Sequence, residues 1–223
     1  KPSMLAEYES TTKEFGAMMH GAGIPFYFSV SATDDFHYYY YLPMTSFGDV
    51  DKIVQTFMVD MPQKIGAEKV TSLMRRGGAT MELTRDWVLV RREDLSYQPT
   101  KPRVPPDEVT HLKYDFYYLK PGMEDMVDTL GKEWISTLKA ANITDGYTLY
   151  QAVIGGELPL VVVVHSGRSG ADLLAQATKD NETLGEKGRA LSARTFATVR
   201  RYETKYATRR PDLGNPAPKV AVK

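Results

Sequence analysis

Four histidines, His20, His37, His111 and His165, are the side chains of this sequence best suited to moving protons near neutral pH. They show no His-x-x-x-His or His-x-His pairing, and the chain has no cysteine. A protein-ligated metal or haem is therefore not expected, and no cofactor is read from the sequence. His20 falls near the end of a helical pattern and His111 opens a strand pattern. His37 lies beside one hairpin strand. His165 follows the apolar run Val161 to Val164 and stands out, because a strand end is where a cavity mouth would lie. Tyr38, Tyr39, Tyr40 and Tyr41 run consecutively. Side chains alternate across a strand, so Tyr38 and Tyr40 take one face and Tyr39 and Tyr41 the other. Lys113, Asp115 and Tyr117 likewise share one strand face. A buried Lys-Asp pair would be a candidate site, but the pattern reads more simply as an exposed polar face. The pocket-lining candidates are accordingly Tyr39, Tyr41, Tyr117 and His165, with no catalytic residue assigned. Asp34-Asp35 reads as turn chemistry. Neither Gly185-Glu186-Lys187-Gly188 nor Arg75-Arg76-Gly77-Gly78 has the context of a phosphate loop.

The elements that must position these residues occur twice. Lys1-Pro2-Ser3-Met4 matches Lys120-Pro121-Gly122-Met123, and Lys13-Glu14-Phe15 matches Lys132-Glu133-Trp134, both 119 residues apart. Arg91 to Leu95 resembles Arg209 to Leu213 at a spacing of 118. Leu5, Tyr8, Thr12, Phe15 and Met19 predict an amphipathic helix, and Met123, Val127, Leu130, Trp134 and Leu138 predict its counterpart. Gly21-Ala22-Gly23 and Ala140-Ala141-Asn142 are suited to left-handed caps. Hairpins follow, from Phe26 to Leu42 and from Tyr147 to His165. Further helical sequence comes next, and then a closing strand at Trp87 to Arg91 and at Thr198 to Tyr206.

The second copy also opens with a strand, His111 to Leu119. Its order is β-α-β-β-α-β, the ferredoxin-like arrangement. In the first copy that strand would lie before Lys1. Something is expected to fill the slot: preceding residues of a precursor, a neighbouring chain, or the alternating segment Lys219 to Lys223. The expected organisation is a first repeat over 1–98, a proline-rich linker over 99–107, a second repeat over 108–216 and a tail over 217–223. The fold class is α+β. It is a tandem duplication whose two antiparallel sheets pack face to face, as an intramolecular dimeric α/β barrel lacking the first strand of copy one.

Lys+Arg 28 balances Asp+Glu 28, so no basic excess exists for a nucleic-acid backbone. The longest apolar runs fall far short of a helical membrane span. The Lys-Pro-Gly-Met-Glu motif after the first strand of copy two, the helix with Lys132-Glu133-Trp134 and the closing Arg-Pro-Asp-Leu at 210–213 resemble the dimeric α/β-barrel superfamily. The resemblance is to its tandem, exported bacterial members similar to the NIPSNAP domain. It implies an exported or periplasmic protein built as a pseudo-dimer within one chain. The expected function is a module binding a small apolar molecule or another protein, without a readable catalytic site. The alternatives are a cofactor-independent monooxygenase-like enzyme with an aromatic pocket, or an accessory subunit of a larger assembly. Fold does not choose among them.

Overall fold

The computed structural model describes residues 1–215, so the tail segment Lys219 to Lys223 lies outside the described residues. The chain divides into two compact units. One comprises Lys1–Thr84 with the segment from Arg210 onward, and the other comprises Arg85–Arg209.

Unit one begins with a 3-10 turn at Pro2–Met4 leading into α1, Leu5–Gly21. No strand precedes α1 among its described residues. The hairpin β1, Ser29–Thr33, and β2, Tyr38–Tyr41, pairs antiparallel with Val30 opposite Tyr40. α2, Gly48–Gln55, runs through a π-helical stretch at Thr56–Asp60 into α3, Met61–Ile65, and then α4, Ala67–Thr80, follows. The core gathers Met19, Ile24, Met61 and Val70, with Phe15, Phe26 and Phe57 packed around them.

In unit two, β4, His111–Leu119, leads to α5, Met126–Ala140. The hairpin β5, Tyr147–Ile154, and β6, Leu160–Gly167, follows, then α6, Gly170–Ala197, and β7, Val199–Arg209. The sheet order is β7-β4-β6-β5, the ferredoxin-like order, with β3, Val88–Arg91, added at the β5 edge. Leu119, Val127, Leu138, Ile143, Tyr147, Leu149 and Val161 form the core between sheet and helices.

The repeat holds at the level of single hydrogen bonds. The backbone N–H of Lys120 donates to Thr198 O at 2.8 Å, and the terminal amine of Lys1 donates to Thr80 O at 3.0 Å. The Nζ of Lys120 and of Lys1 donate one residue earlier, to Ala197 O and Ala79 O. Gly23 and Asn142 adopt positive φ just past the first helices, at 60° and 52°. Gly66 and Gly185 break the later helices at φ 104° and 54°, where a side chain would be strained.

The division between units differs from the repeat boundary, and the reason is an exchange of closing segments. β3 follows copy one in sequence but pairs with β5, Leu89 opposite Ala152. Beyond it, Arg92 N donates to Leu149 O, and the Arg92 guanidinium bonds Asp94 and, on α5, Asp128. Leu95 is fully buried in the core of unit two. Unit one receives the equivalent strap from after β7. Arg210 N donates to Val30 O, its guanidinium bonds Asp212 and, on α1, Glu9, and Leu213 is buried against Phe28 and Val30. The proline-rich stretch is also docked on unit two. Arg103 N donates to Thr144 O, and Val104 is buried.

Candidate functional site

β4 alternates large side chains on both faces. Tyr117 and Leu119 face the helices, as their packing in the core of unit two shows. Lys113 and Asp115 share that face by strand alternation. The face is therefore buried, not the exposed polar surface expected from the sequence. α5 and α6 cover the side carrying Lys113, Asp115 and Tyr117 instead of leaving it to water. Asp115 is 2% exposed and accepts hydrogen bonds from Tyr202 Oη at 2.6 Å and Lys113 Nζ at 2.8 Å.

The register sets His165 opposite Lys113 on one side and Tyr147 on the other. His165 Nε2 lies 3.6 Å from Asp115 Oδ2, and Nδ1 lies 3.9 Å from Asp145 Oδ2. These are charge-contact distances rather than hydrogen bonds. Desolvation pushes the imidazole down to about 4. Asp115 opposes that shift and Lys113 adds to it, so His165 is neutral at physiological pH. Its side chain keeps 27% of its surface open.

Asp145 precedes β5 and is held by Arg103, whose Nε donates to Oδ1 at 3.1 Å. Arg103 also reaches Asp172 on α6 at 2.6 Å. Burial raises the Asp145 carboxyl, against the pull of Arg103, with Asp180 and Asp172 raising it further. Asp180, bonded by Gln176 at 2.7 Å, is raised by burial as well. Burial also raises the phenols of Tyr202, Tyr147 and Tyr117, which therefore stay protonated. The result is a neutral imidazole between two carboxylates, with an ammonium and a phenol fixed on the nearer one. Such a group can accept a proton and hold a developing anion beside Lys113 and Tyr202.

Of the residues expected to line a pocket, Tyr117 and His165 share this face. The Tyr117 ring lies 5.1 Å from Tyr202 and 6.1 Å from Phe196. Tyr39 and Tyr41 belong to unit one. There Tyr38 and Tyr40 meet α1, with Tyr38 donating to Glu9 and the Tyr40 hydroxyl 2.7 Å from that of Tyr8, so Tyr39 and Tyr41 take the opposite face. Glu108 and His111 stand at Glu-x-x-His spacing yet diverge. Glu108 takes Arg168, while the His111 ring meets Thr110 and Thr208. Among the described residues, no group of three or more His, Cys, Asp or Glu is placed to hold a metal ion. An open groove of about 490 Å³ in unit one includes Glu14, Lys69 and Arg76, but Arg76 is already paired with Glu7 and Glu14.

Asp145, Asp180, Arg103 and Tyr202 were not singled out from the sequence. A signal for the two acids was present in the repeat. Ile24 and Ile143 are equivalent buried residues, so Asp145 corresponds to Phe26. Counting back from the helix breaks at Gly66 and Gly185, Asp180 corresponds to Met61. The hairpin registers, anchored at Val30 and Leu149, set His165 against Leu42. Unit one fills these three positions with apolar side chains, Met61 fully buried and Phe26 and Leu42 packed against the core. The fold therefore does not require polar groups there.

No protein-family model and no curated protein matches the sequence. Solved structures do match. An anthrone oxidase-like protein superposes with a TM-score of 0.58 at 12% identity, over 95% of this chain and 90% of that one. A proposed monooxygenase from Lactobacillus acidophilus NCFM matches at 0.50 and 9% identity, over 93% and 88%. Another from Fusobacterium nucleatum matches at 0.50 and 9%, over 94% and 87%. These likenesses show an α+β fold of the dimeric α/β-barrel kind.

Proposed function

We propose that the protein is a cofactor-independent monooxygenase-like enzyme. Its substrate is a small, largely apolar aromatic molecule with an acidic C–H or O–H, bound on the helix-covered face of unit two. The observation that carries this is the contrast between the duplicated cores. Taking polar groups out of water is costly unless they are paired, and unit two places the partly buried His165, Asp145 and Asp180 where unit one has Leu42, Phe26 and Met61. His165, held neutral by burial, is the base. Lys113 and Tyr202, gathered at Asp115, face the anion that results. For a methylene between aromatic rings, as in an anthrone, the balance is CH₂ + O₂ → C=O + H₂O. The substrate supplies the electrons, so none need come from the protein. The names of the three structural neighbours support the same class of reaction. The duplication over 1–98 and 108–216, kinship to NIPSNAP-like proteins and an exported location accompany this reading.

The test is oxygen uptake with an anthrone, comparing the wild type with His165→Leu. Turnover should fall by about a hundredfold or more in the variant, the range of a lost general base, with circular dichroism unchanged. Tight binding of the anthrone by the wild type without oxygen uptake would overturn the enzyme and return the binding module expected from the sequence.

A further inference from the structure

Resting on that reading, we propose that Asp145 is the counter-ion behind His165, and that Arg103, supplied by the proline-rich linker, is the positioning residue that holds it. The two nitrogens of His165 face different carboxylates. On the Nε2 side, Asp115 is occupied by Lys113 and Tyr202 at 2.8 and 2.6 Å. On the Nδ1 side, Asp145 has one firm partner, Arg103, and its second oxygen faces the imidazole at 3.9 Å. When His165 takes a proton from substrate, the imidazolium is drawn toward Asp145. At 3.9 Å Nδ1 and Oδ2 share no hydrogen bond, so the proton stays on the imidazole and Asp145 balances its charge. Substrate loses one proton, His165 gains one, and no electron pair leaves the network.

Asp115 and Lys113 act on the imidazole itself, and Arg103, Asp172 and Asp180 act on Asp145. β4 brings Asp115 and Lys113, the segment before β5 brings Asp145, α6 brings Asp172 and Asp180, and the linker brings Arg103. Burial raises the resting Asp145 carboxyl. Arg103 limits that rise and fixes the carboxylate through Oδ1. Arg103 is itself anchored by its backbone bond to Thr144 and by Asp172. The linker therefore does more than join the copies.

The experiment is a pH titration of the His165 ring by long-range proton–nitrogen NMR in the full chain, for the wild type, Asp145→Asn and Arg103→Met. Removing the anion should lower the imidazole midpoint, and removing the cation should raise it. Each shift should be on the order of half a unit or more, as for a charge within a few ångströms. A merely structural role would let water in and raise both variants toward the ordinary histidine value, which would overturn the proposal, as would two unmoved midpoints. Anthrone turnover is read in parallel, where Asp145→Asn should lower kcat with KM unchanged. Opposed NMR shifts in a protein that never turns over would sink the enzyme reading while leaving the His165–Asp145 coupling standing. Turnover with unmoved midpoints would sink the counter-ion role alone.

Discussion

Replacing His165 by leucine, the residue that unit one carries at the equivalent Leu42, should make the protein less sensitive to acid. The folded imidazole titrates near 4 because it is desolvated, whereas in the unfolded chain it titrates near 6.5. A base whose folded value is depressed contributes its full stability above the unfolded value and loses it as pH falls toward the folded one. Between pH 7 and pH 5 the unfolded imidazole binds nearly one proton and the folded one about a tenth. The linkage integral gives a loss of about 2 kcal/mol for the wild type over this interval. The variant has no such term, while the remaining carboxylates act alike in both proteins. Urea denaturation at the two pH values measures the difference directly, since the midpoints and slopes give the free energies. At pH 7 the variant should be equal to the wild type or more stable, because an apolar side chain replaces a buried polar one. Equal acid losses in both proteins would refute the desolvated histidine. A variant destabilised by more than about 1 kcal/mol at pH 7 would show that the imidazole is structural, against the usual gain on replacing buried polar groups.

The straps give a second prediction. Leu95 and Leu213 are 0% and 1% exposed, so Leu95→Ala and Leu213→Ala should each cost about 2–5 kcal/mol in chemical denaturation. A loss well below that range in either variant would mean that its strap is not seated as described. The third prediction concerns the pair on β4. Lys113→Met alone leaves Asp115 buried with one donor fewer and should cost about 3–5 kcal/mol, whereas Lys113→Met with Asp115→Leu should recover most of that loss. A double variant no more stable than the single one would contradict a buried, mutually dependent pair.

Much of the fold was legible in the sequence because its elements are locally encoded. β4 was read over the residues it occupies, and the apolar stripe from Leu5 to Met19 lies within α1. The paired caps at Gly23 and Asn142 follow from short-range backbone preferences. Two things were not legible. The first is the sheet that a closing strand joins. The Trp87 to Arg91 pattern shows a strand, but its pairing with β5 depends on contacts more than fifty residues away in sequence. The second is the buried face of β4. Alternation separates Leu112, Tyr114, Phe116 and Tyr118 from Lys113, Asp115 and Tyr117, but hydrophobicity alone favours the first set for the helix side. The helices cover the second set, and that misreading set the Lys113–Asp115 pair aside and hid Tyr202 and the carboxylate on the far side of His165.

The asymmetry between the copies follows from their fusion into one chain. In a symmetric homodimer each substitution appears in both copies, so a polar cluster under the helices would weaken both cores at once. Here the two cores vary independently. Unit one packs Phe15 against Phe57 and Phe26 edge-on to Phe57, with Met19 and Met61 fully buried. Filling a core in this way is worth roughly 1.5–3 kcal/mol for each large apolar side chain removed from water. Unit two carries the opposite burden, since Asp115 is buried, and Asp145 and His165 partly buried, on its helix-covered face. The exchanged straps place part of each copy's own sequence in the other unit, Leu95 with unit two and Leu213 with unit one. Stability gained in unit one can then support a costly site in unit two only if the two units unfold together. A single cooperative denaturation transition, reported alike by tryptophan fluorescence from unit two and by proteolysis within unit one, is the expected behaviour. Early, separate melting of unit two would show that each copy bears its own cost.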